Sequence, residues 1–315
     1  MNRSGFALLS ALWLLIALAA LSLELSVVAR HRRLVIANTL ESVRAERAAA
    51  SGIEQERARL AQLSAPRADG FSSDDQASII DPWRHVEALT ADTIDLGEGA
   101  LSTASSIDIG TLVNLNLVEE SGFTRFLAAS SIDAITADAL SQAVMDWRDA
   151  DDFRRLRGAE RNEYMKAGAR ELPKNGPFET VDELRFVRGM TPSILSKIAP
   201  SLTVFGTGQV NVNKASDAVL LSVPGMTPLA VAVIVGARRG RDRIPSLRDL
   251  MDLLPLPART TLANNPIGAA RLSFDTHELE IRAIGWTKGS PIRVAQTAVV
   301  TRVGTIPVVT WRRGE

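Results

Sequence analysis

The chain has no cysteine and only three histidines among its 315 residues. Without thiols there can be neither disulfides nor thiol catalysis, although a periplasmic domain can do without both, so the compartment stays open. His31, His85 and His277 are far apart and in no ligand spacing, which argues against a zinc site or a histidine-based triad. Charge of either sign is not in excess. With 36 basic and 36 acidic residues the net charge is zero, so no overall field draws nucleic acid or anionic lipid. There is no glycine-rich phosphate loop and no nucleophile elbow, and nothing supports an enzyme.

What the chain does have is a long apolar run near its start, FALLSALWLLIALAALSLELSVV from Phe6 to Val28. No charge interrupts Phe6 to Leu23, and about 20 apolar residues at about 1.5 Å each are enough to cross a bilayer's hydrocarbon core. A terminal helix that is apolar on every face has no use in an ordinary soluble core. Residues 6–28 therefore read as a transmembrane segment. A cleaved secretory signal (small residues surround Ala17 and Ala20) and a plain signal anchor are the competing readings. Arg30-His31-Arg32-Arg33 follows, then a sequence rich in Ala, Glu and Arg that reads as continued helix to about Leu63, with Ile36, Leu40 and Val43 at i, i+4, i+7 and Gly52 as its weak point. The whole helix would be a rod of roughly 85 Å. Counted alone, the arginines after the span place that side in the cytoplasm.

Residues 64–81 are rich in Ser, Asp, Gly and Pro and read as a loop; 83–113 predict one or two strands broken by Gly97, Gly99 and Gly110. The middle of the chain carries an internal repeat. Val187-Arg-Gly189-Met-Thr-Pro192 recurs as Val223-Pro-Gly225-Met-Thr-Pro228. In each copy a helix ends at a glycine, then a threonine caps the next helix and a proline takes its first position. That is a helix-hairpin-helix. A second echo sets Val113-Asn-Leu-Asn116 against Val210-Asn-Val-Asn213. Residues 114–270 thus read as a mostly helical domain of duplicated hairpins. Three strands are expected after it, at 272–284, 292–303 and 305–311, forming an antiparallel sheet that packs on the amphipathic half of the N-terminal helix.

Helix-hairpin-helix units often bind DNA, which makes a membrane-tethered, competence-type DNA receptor the alternative function. Such hairpins grip phosphate with backbone N–H groups at a helix N-terminus. Here Thr-Pro stands in that place, and proline has no N–H to donate. The flanking cations are Arg185, Arg188 and Lys197 in the first hairpin, and Arg238, Arg239, Arg241 and Arg243 in the second. With zero net charge, a packing module is the favoured reading and no nucleic-acid partner is expected.

An acidic stretch interrupts the helical region: Asp146, Asp149, Asp151, Asp152 and Glu160 fall within fifteen residues. Carboxylates spaced in this way on a turn can converge on one hard cation, and Ca²⁺ takes six to eight oxygens, although this is not an EF-hand spacing. The bland alternative is a solvated turn whose acids pair with Arg148, Arg154 and Arg155.

The join Ser4-Gly5-Phe6-Ala7-Leu8-Leu9 resembles the processing site of type IV pilins and type II secretion pseudopilins. That resemblance implies a leader, residues 1–5, removed by prepilin peptidase after Gly5, with methylation of the new N-terminal Phe6. Ser10 occupies the position where most of these proteins carry an acid, a departure shared by the minor pseudopilin K. An ordered run of motifs points the same way: Asp146-Trp-Arg-Asp-Ala-Asp151, Gly158-Ala-Glu160 with Tyr164, Pro173-Lys-Asn175-Gly-Pro177, Val181-Asp-Glu-Leu184, Val187-Arg-Gly-Met190 and Val210-Asn-Val-Asn213. Together they resemble the general secretion pathway protein K family. The resemblance implies an α+β, pilin-like fold in which a long N-terminal helix (6–63) packs on an antiparallel sheet drawn from 64–113 and 271–315. A large helical domain (114–270) would be inserted in it. It also implies a single-pass inner-membrane protein with its globular part in the periplasm, placed at the tip of the pseudopilus with minor pseudopilins I and J. Calcium is implied at the acidic motif, where Asp146, Asp149, Asp151, Asp152 and Glu160 are the candidate ligands. Phe153, Arg154 and Arg155 stand where the family's turn carries a proline.

Overall fold

The computed structural model describes residues 3–64, 81–84, 86, 93–240 and 243–314. Met1, most of the expected loop over 64–81, His85 and Arg241 lie outside them. The chain opens with one helix, α1, Arg3–Ser64, of 62 residues and roughly 93 Å. It is long and apolar enough to cross a membrane. Residues 11–40 are exposed on every side, so this part of the apolar run lies bare. The stripe expected to pack, Ile36, Leu40 and Val43, is exposed as well. The buried face begins later, with the small residues Ala45, Ala48, Ala49 and Gly52, followed by Ile53 and Leu60. The reason is distance. A Cβ on Gly52 would come within 2.2 Å of Ser102 Oγ, and one on Gly285 within 2.2 Å of both Ala45 O and Ala49 N. At Gly285 helix and sheet touch backbone to backbone, and larger residues do not fit between them there. Gly52 is thus where the helix comes against the sheet rather than where it fails.

Among the described residues the sheet has five antiparallel strands in the order β1-β2-β7-β8-β9, where β1 is Ile94–Asp95, β2 Ala100–Asp108, β7 Glu278–Thr287, β8 Arg293–Val303 and β9 Ile306–Gly314. Strand β2 runs the full length of β7, from Ala100 opposite Thr287 to Asp108 opposite Leu279. Segments far apart in the chain therefore form one surface. Ile53 and Leu60 of α1 meet Leu279, Ile281, Ala283, Ala298 and Val300 in the core beneath it. Trp83 closes that core, its indole N–H donating to Leu60 O (3.2 Å) and Ser64 Oγ (3.0 Å). The first of the three expected C-terminal strands starts at Glu278 rather than at 272. Leu272 and Ser273 are taken by a different, parallel pairing.

The helices occupy the chain between β2 and β7 and share a second core containing Phe123, Phe126, Leu140, Leu184, Leu220 and Ile234. They fall into two similar halves. The first is opened by β3, Val113–Asn114, and closed by β4, Leu202–Thr203; the second by β5, Val210–Asn211, and β6, Leu272–Ser273. Both pairings are parallel. Within the first half lie α2 (Glu120–Ala129), α3 (Ala134–Arg148), α4 (Arg161–Lys166) and α5 (Pro192–Ile198). The second holds α6 (Asp217–Leu221), α7 (Pro228–Arg239), α8 (Leu247–Leu253), α9 (Leu256–Ala263) and α10 (Pro266–Ala270).

Each half is stapled by the second asparagine of its opening motif. Asn116 Nδ2 donates to Phe178 O (3.0 Å) and its Oδ1 accepts from Phe178 N (2.8 Å). Asn213 Nδ2 donates to Ile244 O (2.9 Å) and Phe274 O (2.8 Å), and its Oδ1 accepts from Ile244 N (2.9 Å). An arginine at the end of the long helix of each half then caps carbonyls within and just after that motif. Arg148 donates to Leu115 O and Val118 O, and Arg238 to Val212 O and Ala215 O. The Gly-Met-Thr-Pro echo, by contrast, links unlike places: it precedes α5, late in the first half, and α7, early in the second. The Val-Asn-x-Asn echo is the one that marks the duplication. A buried polar joint ties the second half to the sheet, with Asp108 Oδ2 accepting from Asn211 Nδ2 and Thr276 Oγ1, each at 3.0 Å.

Candidate metal site

The acidic stretch begins inside α3 and ends at α4. Asp133 caps α3, accepting from Thr136 N at 3.0 Å, and the helix stops where Arg148 turns inward to its carbonyls. Arg148 therefore pairs with backbone, not with the acids expected to neutralise it, and burial lowers its pKa to about 10. Trp147 is buried beside Tyr164 (ring centroids 5.6 Å apart, edge-on) and Phe186 (6.5 Å, stacked). Tyr164 Oη accepts from Arg188 N at 2.8 Å. This aromatic packing fixes the two ends of the 149–160 loop relative to each other.

The five candidate carboxylates divide. Asp146 is fully buried and bound by Arg155, through Nη1 at 2.7 Å and the backbone N at 3.2 Å. Its Oδ2 lies so close to the chain that a Cβ on residue 158 would be 2.0 Å away, which is why a glycine stands there. Asp152 Oδ1 accepts from Asn175 Nδ2 at 3.0 Å, and the same amide reaches Asp151 O at 3.2 Å. Asn175 holds φ +48°, a left-handed turn that asparagine tolerates. Asp149, Asp151 and Glu160 converge, each placing a carboxylate oxygen within 4.8 Å of the others.

These three have capacity to spare. Both carboxylate oxygens of Glu160 and Oδ1 of Asp149 are buried with no hydrogen-bond partner among the described residues. Burial first, then the charges of Asp146, Asp149, Asp152 and Asp151, push the Glu160 carboxyl up to about 7. A buried, unpartnered carboxylate among like charges is unfavourable unless a cation joins it. The set fits a hard oxygen-seeking ion such as Ca²⁺, with Asp149, Asp151 and Glu160 as ligands and Asp146 and Asp152 fixing the loop around them. Arg155 serves the same cluster from one side, at 2.5 Å from Asp149 and 3.2 Å from Glu120. Its neighbours hold its pKa above the usual arginine value. The expected Arg154 pairing is looser and reaches Glu163 at 3.8 Å. Sequence reasoning missed the parts played by Glu120, Gly158 and Asn175. Gly158 and Asn175 each stood in one of the ordered motifs, whereas Glu120 carried no signal.

The hairpins lend no support to DNA binding. Thr191 and Thr227 already cap the helix starts, accepting from Ile194 N (3.2 Å) and Ala230 N (3.1 Å). Arg238 is turned into the fold and Arg243 donates to Phe274 O (2.8 Å). Lys197 reaches Ser131 O at 3.3 Å, and Arg185 pairs with Asp182 at 2.9 Å.

Comparison with known proteins agrees with this architecture. Residues 105–207 match the family model for type II secretion system (T2SS) protein K. The chain is 28% identical over 227 residues to the type II secretion system protein K of Klebsiella pneumoniae, a match covering 67% of this chain and 66% of that protein. The fold is similar to a chain in the crystal structure of the GspK-GspI-GspJ complex of the enterotoxigenic Escherichia coli type 2 secretion system. There the TM-score is 0.61 at 16% identity, over 91% of this chain and 99% of the other. The likeness to type II secretion system protein K is thus carried by residues 105–207 in sequence and by most of the chain in fold.

Proposed function

We propose that the chain is a minor pseudopilin, a structural rather than catalytic component at the tip of a type II secretion pseudopilus. It would nucleate or cap the filament during protein export across the outer membrane. The observation that carries this is the division of α1: an exposed apolar stretch before residue 40, and a second half seated on an antiparallel sheet, in a chain similar to type II secretion system protein K. The exposed stretch suits an inner-membrane anchor before assembly. In this reading the head lies in the periplasm, prepilin peptidase cuts after Gly5, and Phe6 becomes the methylated N-terminus. The partners are minor pseudopilins I and J, consistent with the complex in which the similar chain was solved. Cross-linking in native membranes should recover this chain joined to pseudopilins I and J, and its deletion should leave secreted proteins in the periplasm. Normal export without it would sink the reading.

The loop closed by Asp149, Asp151 and Glu160 is assigned to Ca²⁺, which supplies the positive charge that these carboxylates lack. Its role is to fix the 149–160 segment. At a calcium concentration about 100 times its dissociation constant, binding adds about 2.7 kcal/mol of stability. Thermal unfolding should therefore move to higher temperature with calcium and return with a chelator. Glu160→Gln together with Asp149→Asn should abolish the calcium response. An unchanged response in that variant would remove the assignment.

A further inference from the structure

Beside the acidic cluster the chain turns basic and apolar. Phe153 and Leu156 are 83% and 85% exposed, the two most exposed large hydrophobic side chains among the described residues. They are not loop debris. Asp151 Oδ1 accepts from Phe153 N at 2.8 Å, and Gln142 Oε1 from Arg157 N at 2.7 Å, so backbone hydrogen bonds pin both ends of the segment. The Arg154–Glu163 contact sets it beside α4, whose exposed side carries Arg161, Met165 and Lys166. Arg154, Arg157 and Arg170 are exposed too.

We infer that this surface, Phe153 to Arg170, docks on an anionic lipid bilayer when the neighbouring cluster holds its cation. The inference rests on the calcium reading of that cluster. Without a cation, Asp149, Asp151 and Glu160 cancel most of the basic charge nearby. With one, Arg161, Lys166 and Arg170, beside Arg154 and Arg157 whose carboxylate partners Glu163 and Asp138 lie 3.8 and 3.5 Å away, leave a net positive surface. Exposed Phe, Leu and Met between arginines are the composition of interfacial segments, whose apolar side chains enter the headgroup boundary while the cations meet anionic lipid. Charge complementarity thus selects an anionic bilayer. An overall charge of zero makes the docking local to this patch and dependent on the metal.

The test uses the full chain, held by α1 in phosphatidylcholine nanodiscs and mixed with separate, larger vesicles that are then floated on a density gradient. Calcium binding is followed by calorimetry on the same nanodiscs. Nanodiscs should float with phosphatidylglycerol-containing vesicles in calcium, and remain behind with a chelator or with pure phosphatidylcholine vesicles. Phe153→Ser with Leu156→Ser, both at exposed positions, should bind calcium as before yet lower flotation at least roughly tenfold. Calcium binding without flotation would overturn the inference and leave the metal site standing. Absence of calcium binding would overturn both. If the double variant loses pseudopilin partners while vesicles never bind, the face is a protein interface and the inference fails.

Discussion

Replacing Gly285 with leucine is expected to unseat α1 from the sheet and unfold the head. Glycine inside a strand ordinarily costs stability, because it adds backbone freedom to the unfolded chain and packs nothing. At Gly285 that cost is outweighed by contact. The space a Cβ would occupy is already filled by Ala45 O and Ala49 N, both backbone atoms of a helix that cannot rotate away. Any side chain must lift the helix, and lifting it exposes Ala45, Ala49 and Ile53 together with Leu279, Ile281 and Ala283. The loss should exceed the roughly 1–3 kcal/mol usual for overpacking and reach about 4 kcal/mol, because the obstructing atoms are backbone. Thermal unfolding in detergent reads it directly. Gly236→Ala is the contrast, since its Cβ would meet nothing within 4 Å inside α7; it should gain about 0.5–1 kcal/mol. A head that melts normally with leucine at 285 would mean that the close contact is not what joins helix to sheet.

The second large effect is expected at the paired asparagines. Asn213→Ala removes three hydrogen bonds at once and leaves Ile244 N and O and Phe274 O without the amide that served them. With about 1–3 kcal/mol for each buried group left unpaired, the cost should be about 3–5 kcal/mol. Asn116→Ala breaks the corresponding bonds to Phe178 and should cost a similar amount. Asp is the informative second substitution at 213: it keeps the acceptor for Ile244 N but sets an acceptor-only carboxylate oxygen against Ile244 O and Phe274 O, so it should be at least as destabilising as Ala. Equal stability of Asn213→Ala and the unaltered chain would show that the duplication is an echo without mechanical consequence.

The N-terminal helix could be read from the sequence almost to its last residue, because an uninterrupted apolar run followed by Ala, Glu and Arg is a local signal. Its contact face could not. Ile36, Leu40 and Val43 look like a packing stripe, whereas Ala45, Ala48, Ala49 and Gly52 look like filler, and close approach selects the filler. Strands β7 to β9 were visible as β-branched runs, but the pairing of β2 with β7 joins residues separated by the whole helical region and leaves no local trace. The two echoes were both visible, and only the structure shows that Asn116 and Asn213 give one of them its purpose. At the acidic stretch, the family resemblance nominated five carboxylates. Which of them converge depends on Arg155, Gly158 and Asn175, and Arg148 was misjudged because its carbonyl partners lie in a motif some thirty residues earlier.

The account stands or falls on α1 being a pilin-type helix that is processed and then kept. The most direct test is the intact mass and N-terminal sequence of the protein recovered from its native membranes. We expect a chain beginning at methylated Phe6, with Gly5→Ala accumulating the unprocessed form. A mature chain starting near Leu21, as after ordinary signal cleavage, or one retaining Met1 would contradict the pseudopilin assignment.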